Sequence, residues 1–366
     1  MVESTAGQTC GEGMRRDFDH TTPQQRVVFA QGQAAARTRS TIDESEGSRV
    51  LLIASASSRA LADSVAGHSR VVARIDQVAQ HVPSVTAAAA VSASISNSVD
   101  TVVAVGGGSA MGLAKIVGVR TGAAIIAVPT TYSGSEATDT WGITENGRKE
   151  TGADPRALPQ IVIYDSILLA SLSPRQRGMS GVNAIAHAID SLWAPRADPI
   201  NRAHSAEALH LLLAGLRATA SLSDDAAVRE SMLCGAYLAG VAFASAGAGL
   251  HHKICHVLGG MFDLPHAETH AVILPYVVEY NAPAAPEAAA VISQSLGGTG
   301  AAIGLWRLRG ELGGPPSLRS LGLGESQIAR AVEAAAEAAP ASNPRPVTAD
   351  DLRILLRRAW RGDPVV

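Results

Sequence analysis

Four short runs of uninterrupted aliphatic residues set the architecture of this chain. They are Arg49–Ala54, Thr101–Val105, Ala124–Val128 and Ile161–Tyr164. None alternates apolar with polar, and helix-length stretches separate them. A strand with one face in water would alternate, so these are covered on both faces, which indicates a parallel sheet between helices. Val27-Val28-Phe29 adds an edge strand. From about residue 170 the pattern changes. Ser173 before Pro174 is a helix start. Helical periodicity follows over 174–193, 202–220, 225–250 and 251–260, and again near 285–297, 302–312, 325–338 and 348–359. The expected fold is an α/β N-terminal nucleotide-binding domain with a parallel sheet, residues 1–169, and an all-α C-terminal domain, residues 170–366. The junction should form a cleft, a common place for a ligand.

Met232–Leu250 carries no charge and is long enough to span a bilayer. Its richness in Gly, Ala and Ser favours a buried, closely packed helix, so no membrane partner is expected. Charge excludes another class: 30 basic and 33 acidic side chains leave no field to hold nucleic acid. Cys10, Cys234 and Cys255 are too few and too odd for a disulfide framework, which fits a reducing cytoplasm. The N-terminus, through Arg15-Arg16-Asp17, shows no apolar signal-peptide core.

The second run leads into Gly106-Gly107-Gly108-Ser109-Ala110-Met111-Gly112, a strand, a glycine turn and a helix start. Glycines let a phosphate approach the backbone, and the helix N-terminus offers free N–H groups. The next run ends at Pro129-Thr130-Thr131-Tyr132-Ser133-Gly134-Ser135-Glu136, dense in hydroxyls at the carboxyl end of a strand. Two such loops imply a dinucleotide held by Gly106, Gly107, Gly108, Ser109, Thr130, Thr131 and Ser135. After Ala54 come Ser55-Ala56-Ser57-Ser58, with no carboxylate to repel a 2′-phosphate, so NADH or NADPH is expected.

Five of the eleven histidines fall between His251 and His270. His252 and His256 share a helix face, and Pro265 breaks that helix before His266 and His270. Apolar flanks imply burial. Such a cluster suggests proton transfer, a metal, or capture of an anion. Lysine is rare: Lys115, Lys149 and Lys253 are the whole set. Lys253, inside the cluster, is assigned to the substrate, and Lys149 to the cofactor.

Together these motifs resemble the iron-containing alcohol dehydrogenase superfamily, whose fold is also that of dehydroquinate synthase. Its metal is usually held by an Asp and a His four residues apart, then by two more His. Here the first pair reads Asn183 and His187, and the resemblance matches the later pair to His256 and His266. Asn183, with Trp141-Gly142-Ile143-Thr144, Gly152–Arg156, His251-His252-Lys253 and Asn343–Val347, resembles one branch, the maleylacetate reductases. That resemblance implies reduction of maleylacetate to 3-oxoadipate in aromatic degradation, with a small dicarboxylate as partner and a homodimer as assembly. It implies His187, His252, Lys253, His256 and His266 as the catalytic set, with His256 the first choice of proton donor. No metal requirement is expected, because a neutral amide replaces the carboxylate ligand. The alternatives are a metal-dependent alcohol dehydrogenase of the same fold and a non-catalytic nucleotide-binding protein.

Overall fold

The computed structural model describes residues 17–45, 49–145, 148–220 and 225–366; Cys10, Arg15 and Arg16 lie outside them. Its strands are β1 (Arg26–Phe29), β2 (Val50–Ala54), β3 (Val71–Ile75), β4 (Thr101–Gly106), β5 (Ala124–Pro129), β6 (Thr140–Glu145), β7 (Arg148–Ala153) and β8 (Ile161–Tyr164). Six form one sheet in the order β1-β8-β5-β4-β2-β3, and every pairing in it is parallel. Every residue of β2 and β4 is buried, as a strand covered on both faces must be.

Side chains alternate across this sheet. Val50, Leu52, Val103 and Val105 face α1 (Ala34–Glu44) and α2 (Arg59–Ala66). Leu51, Ile53, Val102 and Ala104 face α3 (Ser84–Ser96) and α4 (Gly108–Thr121). The second core does not stop at the sheet. It continues through Tyr132, Tyr164 and Leu169 into the helical half.

After β8 the described elements are helices and short 3-10 turns. They are α5 (Pro174–Ser191), α6 (Pro199–Ala220), α7 (Ala226–Ala246), α8 (Leu250–Phe262), α9 (His266–Asn281), α10 (Pro286–Ser295), α11 (Ala301–Glu311), α12 (Ile328–Ala338) and α13 (Ala349–Arg361). Ser173 and Gln176 close a capping box at the start of α5. Among the described residues no single helix is long and apolar enough to cross a membrane; α7 and α8 reach that length only as a pair bent by 98°.

Three elements lay beyond the sequence reading. β3 is half-buried throughout and has no apolar run, since Arg74 interrupts it. The β6–β7 hairpin is polar and packs over the cleft rather than in the sheet. Helix α9 was expected only as an unassigned element after Pro265, and Pro275 inside it weakens its helical signature.

Candidate active site

A cleft of about 780 Å³ separates the carboxyl ends of the strands from the helices. At one end it is lined by Ser55, Ser57, Ser58, Gly107, Gly108, Ser109, Thr130 and Thr131. β4 ends at Gly106, whose φ of +151° is one that side chains rarely adopt; a Cβ there would meet Ala110 Cβ and Ser55 Oγ at 2.9 Å. Thus Gly106 shapes the turn while Gly107 and Gly108 form its wall. Gly107 precedes α4, and its carbonyl accepts from the N–H of Ala110 and Met111. The N–H groups of Gly108 and Ser109 come before that ladder and are the natural anion donors of a helix start.

The second loop is tied down from several sides. Tyr132 N–H donates to Ser180 Oγ at 2.9 Å, and Thr130 N–H to Gly106 O at 3.0 Å. Glu136 is fully buried and accepts from Tyr164 OH at 2.7 Å; burial pushes its carboxyl up. Ser135 lines the cleft as well.

At the other end the lining includes Trp141, Lys149, Asn183, His187, Phe243, His252, His256 and His266. Asn183 and His187 sit one turn apart on α5, where Asn183 Nδ2 donates to Ser133 O at 3.3 Å. Gly134, at φ +68°, lets the loop pass beside His187: a Cβ there would stand 3.0 Å from His187 Nδ1. The ring of His187 stacks on His252 with centroids 4.8 Å apart, whereas His252 and His256 are 6.1 Å apart. The α8 histidine that packs on His187 is therefore His252.

One residue of this centre was not singled out by the sequence reading. Asp190 comes from the end of α5 and is fully buried. It accepts from His252 Nδ1 at 2.8 Å, Gly249 N–H at 3.0 Å, His252 N–H at 3.2 Å and Trp193 Nε1 at 3.2 Å. The carboxylate thus caps the start of α8, where the helix dipole favours it. It also fixes the His252 tautomer, with the proton on Nδ1 and the lone pair on Nε2. Its place three residues after His187 on α5 was the only signal in the sequence. Behind the cleft, fully buried, lie His251, Cys255 and His270. Burial lowers the pKa of His187 to about 4 and holds His252, His256, His266 and His270 well below the ordinary imidazole range.

The three lysines have three fates. Lys115 is buried and donates to Thr138 O, Thr138 Oγ1 and Thr140 O, each at 2.8 Å, which pins the approach to the hairpin. Burial pushes it down to about 7, while the three acceptors suit its protonated form. Lys149 lines the cleft at the histidine end, away from the glycine turn. Lys253, next to His252 in sequence, is not among the cleft-lining residues. On a helix, i+1 and i−3 cannot both align with the stripe of His252 and His256.

Comparison with known proteins agrees over most of the chain. The sequence pattern of iron-containing alcohol dehydrogenase matches residues 23–166, and that of the C-terminal part of the Fe-containing alcohol dehydrogenase family matches residues 178–360. The maleylacetate reductase of Sphingobium indicum is 40% identical over 345 residues, covering 93% of this chain and 97% of that one. A crystal structure of an iron-containing alcohol dehydrogenase from Corynebacterium glutamicum superposes with TM-score 0.89 at 45% identity, over 95% of this chain and 98% of that one. The maleylacetate reductase of Rhizobium sp. strain MTP-10005 superposes with TM-score 0.87 at 38% identity, over 96% and 100%.

These matches overturn the expectation that no metal is required. The family is iron-containing, and the buried side chains fit a metal. The ligand atoms of Asp190, His251 and His252 lie within 4.8 Å of one another, as do those of His251, Cys255 and His270. Among the described residues Asn183 Oδ1, His187 Nδ1 and His252 Nε2 are buried without a hydrogen-bond partner. Neutral imidazoles with free lone pairs are the form that ligates. The expectation rested on the neutral amide of Asn183 and gave no role to Asp190. Asp190 supplies the missing anionic charge, against His252. The chain is an NAD(P)H-dependent oxidoreductase that belongs to the iron-containing alcohol dehydrogenase family, on its maleylacetate reductase branch.

Proposed function

We propose that the chain reduces maleylacetate, and substituted maleylacetates, to 3-oxoadipate with NADH or NADPH, late in aromatic degradation. The observation that carries this reading is the single cleft that joins an anion-binding helix start to a histidine-lined chamber. The sequence relatives bearing the name maleylacetate reductase support it.

In this reading residues 1–169 are the nucleotide domain and residues 170–366 the substrate domain. The diphosphate of the cofactor lies on Gly107, Gly108 and Ser109, and its adenosine ribose near Ser55, Ser57 and Ser58. Hydroxyls in that place accept either a 2′-hydroxyl or a 2′-phosphate. The nicotinamide then points toward His187 and His252. It gives a hydride to the alkene carbon β to the ketone. The charge passes to the ketone oxygen as an enolate, and a proton returns to the α carbon. One NADH and one proton are consumed; NAD⁺ and 3-oxoadipate are formed. His256 is the proposed proton donor, since the charges of a bound dicarboxylate favour its protonated form. Asn183, His187, His252 and His266 would hold a divalent ion, which supplies positive charge where the enolate oxygen develops. The enzyme is proposed to work in the cytoplasm as a homodimer.

The test is loss of NADH absorbance on adding maleylacetate, set against oxidation of simple alcohols with NAD⁺. Turnover of maleylacetate far above that of alcohols is expected. The reverse order would show an alcohol dehydrogenase of the same fold instead.

A further inference from the structure

Lys149 stands in the cleft wall without a partner. Among the described residues it forms no hydrogen bond and no ion pair, and burial lowers its pKa. Lys149 is half-buried in that wall with no counter-ion, so its charge favours an arriving anion. Its position is fixed by tight packing. A Cβ on Gly260 of α8 would stand 2.7 Å from Lys149 Cβ, and one on Gly142 would stand 3.1 Å from Lys149 Cε. The side chain therefore runs between the hairpin and α8, beside His256 and His266.

Beside Lys149, against the neighbouring Gly259 of α8, His81 holds this arrangement together. His81 and Val82 both have left-handed backbones, φ +59° and +49°, which for a β-branched valine is a strained state. Thr144 secures them: its hydroxyl donates to His81 O at 2.8 Å and its N–H to Val82 O at 3.0 Å. Thr144 is the register partner of Lys149 in the hairpin. The His81 ring meanwhile donates from Nε2 to Leu264 O at 3.2 Å, two residues before His266. One strained segment thus joins the hairpin that carries Lys149, through its β6 strand, to the start of the helix that carries His266. Asp263 lies 3.8 Å from His81 Nε2, but it is exposed and faces away from the chamber.

We propose that Lys149 is the specificity-determining residue that takes a substrate carboxylate, with His81 as the positioning residue that sets it against His266. This rests on the reading of the cleft as a dicarboxylate reductase, and it moves Lys149 from the cofactor to the substrate. The other two lysines do not compete for the role. Lys115 has its three N–H groups engaged, and Lys253 is outside the cleft.

The experiment measures maleate binding to the enzyme–NADH complex by calorimetry, alongside NADH affinity and the KM for maleylacetate. Lys149→Met should weaken maleate binding and raise KM by roughly ten- to a hundredfold, with NADH affinity changed by less than about threefold. Lys149→Arg should restore part of the loss. His81→Asn, chosen because Asn tolerates a left-handed backbone, should raise KM more than it lowers kcat. Retained NADH affinity shows in each case that the variant has folded. The proposal is overturned if NADH affinity falls with KM, if maleate binds Lys149→Met as well as wild type, or if wild type binds no maleate. Wild type that binds maleate but does not turn over maleylacetate would refute the proposed reaction alone and leave the carboxylate subsite standing.

Discussion

The two ends of the cleft are built by opposite means. The nucleotide end is made of backbone and hydroxyls from two loops that are each continuous in sequence. Ser55 pairs there with Ser57 and Ser58, and the second loop is anchored by buried Glu136 and Tyr164. The substrate end is made of side chains from α5, α8, α9, the hairpin and the segment around His81. There Asn183 Oδ1, His187 Nδ1 and His252 Nε2 are buried without hydrogen-bond partners. A finished surface binds something common to many enzymes, while an unfinished one is completed by a specific metal and substrate. The difference teaches that unsatisfied buried groups mark where the chemistry is.

Substitutions should separate the ends. Gly107→Val makes the largest change, because its Cβ alone would stand 2.9 Å from Thr131 Cγ2 and its methyls would fill the phosphate path. NADH affinity should fall at least ~1,000-fold in a fluorescence titration, with unfolding temperature little altered. Unchanged affinity would make the glycine turn a structural feature only. Lys115→Met should act on the frame between the ends. It leaves Thr138 O and Thr140 O buried and unpaired, at a cost of about 3 kcal/mol in urea unfolding. A stability within experimental error of wild type would mean that water replaces the ammonium.

Asp190→Asn should spare the nucleotide end and damage the other. It keeps the volume but removes the charge that orients His252, so kcat and affinity for added zinc or iron should each fall roughly 10- to 100-fold. Equal loss of NADH affinity would show that the two ends are not independent. The smallest effect belongs to Lys253→Ala. Lys253 is off the cleft wall, and its kinetics should stay within about twofold of wild type, as for a typical surface charge.

The same contrast decides what could be read from the sequence. The central strands were legible because burial on both faces writes an apolar run that has no other use. The glycine turn and the Thr130–Ser135 loop were legible because each is local, a strand end followed at once by residues that line the cleft. Residues 174–260 were legible as helices through periodicity and the Ser173-Pro174 start. The substrate end was only half legible. The histidines announced themselves by density, but which of them meet depends on the angle between α5 and α8. That angle sets His252 on His187, and it brings Asp190 under His252. No local pattern links Asp190 to residues some sixty positions later, so the metal was misjudged from Asn183 alone. His81 was invisible, since its role depends on a strained turn and a hairpin with no apolar signature.

A crystal structure with NADH and 3-oxoadipate tests the central claim most directly. The diphosphate should rest on the N–H groups of Gly108 and Ser109, with the nicotinamide between it and the ring of His252. The dicarboxylate should fill the chamber among His252, His256 and His266. A cofactor bound with its diphosphate away from the start of α4, or a dicarboxylate outside the histidine chamber, would contradict the account.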